Sequence, residues 1–163
     1  MVMLKIVLIV YLLFPLTGNS EKQSLPWKFR AKVIAVKDGD TVEVLCNGKP
    51  LAIRFAHIDC PEIKKGQPFA RKAKQFTSAM CFGQVVTIEN DNKFDRYQRL
   101  IGIVINAKGK NVNKELLKAG LAWHFKKYST NQLYAALENE ARANHIGLWK
   151  DENPVPPWQW RNH

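Results

Sequence analysis

Short runs with a two-residue repeat alternate along this chain with longer runs that repeat like a helix. Over residues 27–36, Ala31, Val33 and Ala35 fall opposite Lys32, Ile34 and Val36, which predicts a first strand. Residues 41–46 and 51–58 are β-rich, and Asn47-Gly48 between them predicts a type I′ hairpin turn, because that turn needs positive φ at both central residues. In the second arm Leu51, Ile53 and Phe55 share one face, while Arg54 points the other way. Pro61 ends the sheet, and Pro68 suits the first turn of a helix. Phe69, Ala73, Phe76 and Met80 then form an apolar stripe, with Arg71, Lys72, Lys74 and Gln75 on the other face and Gly83 as the stop. Residues 84–89 read as a fourth strand, 90–98 as a polar loop and 100–105 as a fifth strand. Residues 112–119 predict a short helix with Leu116 and Leu117 inward, and 121–125 an extended segment. Residues 131–145 predict the last helix, with Leu133, Leu137 and Ala141 as its stripe and Gly147 beyond its end.

Five strands with a helix between the third and fourth, and three helices in all, is the element order of an α+β domain built on a five-stranded Greek-key OB-fold β-barrel. The 163 residues suffice for one such domain with a real core. The ends differ from the middle. Lys5 is the only charge in residues 1–20, and 6–16 are almost wholly apolar yet too short for a membrane span. Thr17, Gly18, Asn19 and Ser20 follow, so residues 1–20 are expected to be a signal peptide, with an uncleaved anchor as the alternative. The product would be secreted or periplasmic. The domain proper is expected over 27–150. Residues 151–163 form a Pro/Trp-rich tail that is expected to be extended and strapped to the domain.

Beyond residue 20 the chain carries 24 bases against 14 acids, a net charge of +10. Such an excess points to a polyanionic partner, nucleic acid or an anionic surface, or serves solubility alone. The three cysteines, Cys46, Cys60 and Cys81, are an odd count with no zinc spacing and read as structural thiols. Pairing the hairpin arms brings Asp40 toward Asp59, with Arg54 and Glu62 close by. Acids beside an arginine at one hairpin end are how a metal-and-phosphate site would be built. Taken singly, each residue has a plainer reading: a turn at Asp38-Gly39, a strand cap at Arg99, a loop charge at Glu62, packing at Tyr97 and Tyr128.

The segments Asp38-Gly39-Asp40-Thr41-Val42, Ile53-Arg54-Phe55, Ile58-Asp59-Cys60-Pro61-Glu62 and Asp95-Arg96-Tyr97-Gln98-Arg99 together resemble the staphylococcal nuclease family, over about residues 27–150. The resemblance implies a secreted, calcium-dependent endonuclease that cuts DNA and RNA with little sequence preference and leaves 3′-phosphate ends. Transferred residue by residue, it makes Asp40, Asp59 and the Cys60 backbone carbonyl ligands of Ca2+. It makes Arg54, Glu62 and Arg99 catalytic, and puts Arg96, Tyr97 and Tyr128 where the nucleotide binds. A monomer with no lasting membrane association is implied. Gln98 stands where a glycine is common, and Lys126 where the best-known member has an aromatic. The competing readings are a non-catalytic OB module for single-stranded nucleic acid or another polyanion, which has no need of all five charged site residues, and a membrane-active cationic protein, for which no strong basic amphipathic helix is present.

Overall fold

The computed structural model describes residues 25–162, so the expected signal peptide lies outside the described residues. Five strands close into a barrel in the order β1-β2-β3-β6-β5: β1 Lys28–Asp38, β2 Thr41–Cys46, β3 Lys49–Phe55, β5 Val85–Phe94 and β6 Leu100–Ile105. The remaining strands, β4 Ile58–Asp59 and β7 Trp123–His124, pair with each other outside the barrel. Helices α1 Ala70–Cys81, α2 Val112–Lys118 and α3 Gln132–Ala143 pack around it, followed by a 3₁₀ turn, Gly147–Lys150, and a one-turn helix α4, Pro157–Trp160. This is the α+β OB-type barrel that the element order implies. Val33, Val42, Val44, Ile53, Phe55, Val86, Ile88, Leu100 and Val104 fill its interior, the inward positions of every strand.

The hairpin forms as its sequence dictates. Asn47 and Gly48 sit at φ of 48° and 74°, and the register runs Thr41↔Arg54 to Cys46↔Lys49. Two details depart from expectation. β3 stops at Phe55, because His57 turns the chain at φ 69° before β4 begins. In β1 the pairing with β2 slips after Val33, so Val36 packs toward the core while Ile34 is left exposed.

Other boundaries shift for identifiable reasons. Pro68 lies before α1 rather than in it, since Phe69 at φ 66° is the residue from which the helix starts. The buried face of α1 is Ala70, Ala73, Thr77 and Cys81; Phe69, Phe76 and Met80 flank it. The long apolar side chains suggested the stripe, but the small ones sit at the contact because β1 and the 38–40 segment come so close. Strand β5 runs through the polar segment to Phe94, leaving only a tight turn before β6. On α3 the inward residues are Tyr134, Glu138 and Ala141, and Leu133 is exposed. Glu138 is tolerated there because Arg142 pairs with it at 2.5 Å and the His124 backbone N–H donates to it. No helix among the described residues is long and apolar enough to cross a membrane.

Candidate active site at the barrel rim

The rim where β2 begins and β3 ends gathers most of the chemistry. Thr41 and Arg54 are cross-strand partners, and the Phe55 N–H donates to the Asp40 carbonyl at 2.8 Å. Register therefore carries Asp40 and Arg54 to one edge, while the turn at His57 returns Asp59 to the same place. Helix α1 pins the approach from behind. A Cβ on Gly39 would stand 2.7 Å from that of Ala73 and 2.9 Å from that of Cys60, and Thr77 donates to the Gly39 carbonyl at 2.5 Å. Gly39 is required here for close packing, not for a turn of unusual handedness.

Arg54 lies between the two aspartates with only 13 % of its side chain exposed. Its guanidinium donates to Asp59 Oδ1 at 2.6 Å and to the carbonyls of Phe55 and Ile58 at 2.9 and 3.0 Å, and it pairs with Asp40 Oδ2 at 3.2 Å. Asp40 also accepts the Cys60 N–H at 2.7 Å and the Thr41 hydroxyl at 3.1 Å. The Thr41 hydroxyl in turn accepts from Arg99 at 3.2 Å, so one polar chain joins the two arginines. Arg99 is delivered by the β5–β6 turn, where Asp95 does two jobs. Asp95 Oδ1 accepts the N–H groups of Tyr97 and Arg99 at 2.9 and 3.0 Å; Oδ2 grips the Arg99 guanidinium at 2.7 and 2.6 Å. Partial burial pushes the Asp95 carboxyl up, but the hydrogen bonds from Arg99 outweigh it and hold it below the ordinary range.

Acidity at the rim is strongly perturbed. Burial pushes Asp59 upward against the pull of Arg54, with the Asp40 charge adding to the rise and Arg161 opposing it. Asp38 is raised to about 6 by burial and by the charges of Asp40 and Glu62. Burial and the charge of Asp40 push the Cys60 thiol well up, which leaves it inert. All three cysteines are free.

Two contributors escaped the sequence reading. Asp38 is a fourth acid of the rim, beside Asp40, Asp59 and Glu62, and its two-residue spacing from Asp40 was the available signal. The other is Arg161, from the tail, which had no motif to mark it. It donates to Asp59 Oδ2 at 2.8 Å and pairs with Glu62 Oε1. Glu62 is thus joined to the others through Arg161 and Asp59. Arg96 and Tyr97 are at the edge: Arg96 donates to the Tyr97 hydroxyl at 2.7 Å, and both Arg96 and Arg99 lie over the Tyr97 ring. Tyr128, 71 % exposed, packs on Phe125, which stacks on Trp158 of the tail. Its described contacts are therefore with the tail's border rather than with the arginines.

No cluster of three His, Cys, Asp or Glu side chains that could hold a metal by itself occurs among the described residues. The donor set does fit a hard cation: Asp40 and Asp59 gather around the same guanidinium, every donor is oxygen, and a second guanidinium already lies against Asp59 and Glu62.

A closed OB-type barrel with acids and forked guanidiniums on one rim is the framework of an enzyme for phosphate esters. The family model described as "Staphylococcal nuclease homologue" matches residues 52–151. A protein named "Uncharacterized endonuclease" from Escherichia coli is 40% identical over 131 residues, covering 80% of this chain and 84% of its own length. One of the same name from Haemophilus influenzae is 40% identical over 135 residues, 82% of this chain and 74% of its own. A "Micrococcal nuclease" from Shigella flexneri is 35% identical over 143 residues, 82% and 80%. The chain belongs to the staphylococcal nuclease family and is a hydrolase of the endonuclease class.

Proposed function

We propose that this endonuclease hydrolyses phosphodiester bonds of both DNA and RNA with little sequence preference, uses Ca2+, leaves 3′-phosphate ends and acts outside the cytoplasm as a monomer. The observation that carries this reading is the continuous chain Arg99–Thr41–Asp40–Arg54–Asp59, with Glu62 reached through Arg161. A binding module has no use for two buried aspartates around a buried guanidinium, since it gains affinity from exposed bases. A net charge of +11 over the whole chain suits a substrate recognised by its phosphates rather than its base edges. The apolar residues 6–16 support export.

In this reading Arg54 and Arg99 each present a planar fork to phosphate oxygens, and the charge that grows on those oxygens as water attacks strengthens both contacts. Glu62 takes or directs the proton of the attacking water; a P–O bond forms to that water, the bond from phosphorus to O5′ breaks, and O5′ takes up a proton from solvent water and leaves as a hydroxyl. Asp40, Asp59 and the Cys60 carbonyl would hold calcium, which supplies positive charge to the phosphate and a bound water. Tyr97 and Arg96 border the same rim and suit the neighbouring sugar and phosphate, with Tyr128 a more distant candidate.

The test is cleavage of plasmid DNA and of RNA by the protein lacking residues 1–20, with calcium or with excess chelator, and with analysis of the product ends. Activity should require calcium at on the order of 10⁻⁴ to 10⁻³ M, as so few protein ligands imply. Full activity in chelator would remove Asp40 and Asp59 from the role given them, and 5′-phosphate ends would overturn the proposed bond cleavage.

A further inference from the structure

The tail does more than cover apolar surface. After the 3₁₀ turn the chain crosses the 61–67 loop and seats α4 beside the rim. The Gln67 side chain donates to the Val155 carbonyl at 2.8 Å, Trp160 Nε1 to the Lys65 carbonyl at 3.2 Å, and Lys65 Nζ to the Arg161 carbonyl at 2.6 Å. Trp158 stacks on Phe125 at 5.3 Å and meets Trp123 edge-on at 5.7 Å. Trp123 is the backbone partner of Asp59, so the tail rests on the strand pair that carries that carboxylate. The far end of this strap is Arg161, whose two terminal nitrogens take Asp59 Oδ2 and Glu62 Oε1.

We propose that Arg161 is a built-in competitor of the divalent cation: an intramolecular guanidinium that closes the rim by occupying Asp59 and Glu62, and that must leave when calcium binds. The proposal rests on the calcium reading above. Its physical basis is that Asp59 has few free acceptors. Oδ1 is committed to Arg54 at 2.6 Å and Oδ2 to Arg161 at 2.8 Å. A doubly charged ion brought to Asp59 would face Arg161 at contact range, and like charges there repel. Arg54 does not compete in the same way. It is walled in by the Phe55 and Ile58 carbonyls and has nowhere to go, whereas Arg161 is 37 % exposed on a segment anchored by a few hydrogen bonds and two ring contacts. The same guanidinium ties up Glu62, the carboxylate proposed above to take or direct the proton of the attacking water. Closed, the site has neither its cation nor its base; open, both become available together.

The closed form reduces apparent calcium affinity by the fraction of molecules that are open. Isothermal titration of calcium into the protein lacking residues 1–20 reads this without any substrate. Arg161→Ala should bind calcium roughly tenfold more tightly than wild type, within the usual range of coupling between sites. Trp158→Ala, which loosens the strap at a distance from the carboxylates, should shift affinity in the same direction by less. Arg161→Lys, which keeps the charge but not the fork, should fall between wild type and alanine. In thermal unfolding, Arg161→Ala should melt lower than wild type without metal and gain more from saturating calcium. Unchanged or weaker calcium binding in Arg161→Ala would overturn the competition while leaving the calcium reading intact. If neither protein binds calcium at millimolar levels, both fall together, and DNA cleavage in chelator then decides the nuclease mechanism separately.

Discussion

Arg54 and Arg99 reach the same rim by different constructions. Arg54 comes from the open end of the hairpin, where barrel register fixes its backbone and four acceptors fix its head; 13 % of its side chain is exposed. Arg99 comes from the exit of a surface turn, 26 % exposed, and is held by an acid four residues back in the sequence together with one hydroxyl. The first arginine neutralises two buried carboxylates that would otherwise repel each other, so it is part of what lets the rim fold. The second is positioned by its own turn and could be altered without disturbing the barrel. Two guanidiniums with one proposed task thus stand in opposite relations to stability.

The largest effects should expose that difference. Arg54→Lys and Arg99→Lys both keep charge and lose the fork, and each should lower kcat by roughly 10²-fold with a smaller change in KM, as for removal of one preorganised donor. Their unfolding should differ. Lysine at position 54 cannot serve all four acceptors, and each buried acceptor left unpaired costs about 1–3 kcal/mol. Arg54→Lys should therefore melt clearly lower, while Arg99→Lys should melt within a degree or two of wild type. Cleavage rates at saturating DNA alongside thermal unfolding check both halves. Equal melting temperatures would erase the contrast, and a full rate in either variant would take that arginine out of the reaction.

A smaller effect would show whether the two arginines act as one unit. The Thr41 hydroxyl links them, accepting from Arg99 at 3.2 Å and donating to Asp40 Oδ1 at 3.1 Å. Thr41→Val keeps the shape and removes both bonds. It should reduce kcat by about five- to tenfold, corresponding to roughly 1 kcal/mol, the ordinary worth of such a hydrogen bond. A double variant with Arg99→Lys should then lose less than the product of the two. Strict multiplication would mean that the arginines are placed independently.

What could be read from the sequence follows the same division. The hairpin was legible because Asn47-Gly48 and the alternation around Ile53 and Phe55 are local signals, and register alone then brought Asp40 and Arg54 together. The break at His57 was not, because β4 exists only to pair with β7, some sixty-five residues later. On α3 the expected Leu137 and Ala141 do face inward, but Leu133 does not, and Glu138 was missed because a buried glutamate neutralised by Arg142 looks, in sequence, like a surface charge. The same blindness hid Arg161. Nothing local distinguishes one arginine in a Pro/Trp tail, and its position depends on Trp158 finding Phe125 and on Lys65 and Gln67 holding the strap.

The smallest expected effect lies in the turn that carries Arg99. Gln98 adopts φ 59°, in the left-handed region, where a side chain costs about 1 kcal/mol or more and glycine is free to sit. Glycine would suit this place for that physical reason. The turn nevertheless closes: the Gln98 N–H donates to the Asp95 carbonyl, and Asp95 Oδ1 accepts from both Tyr97 and Arg99. Gln98→Gly relieves the strained backbone but frees the unfolded chain, and the second term offsets part of the first. The net should be a stabilisation of about 0.5 kcal/mol, seen in denaturant unfolding as a higher midpoint with an unchanged slope. Cleavage should stay within twofold of wild type, because the Asp95 carboxylate, not residue 98, holds the Arg99 guanidinium at 2.6–2.7 Å. A severalfold rise in kcat would mean instead that the strained turn keeps Arg99 short of its working position, and the contrast between a rigid Arg54 and a self-sufficient Arg99 turn would have to be redrawn.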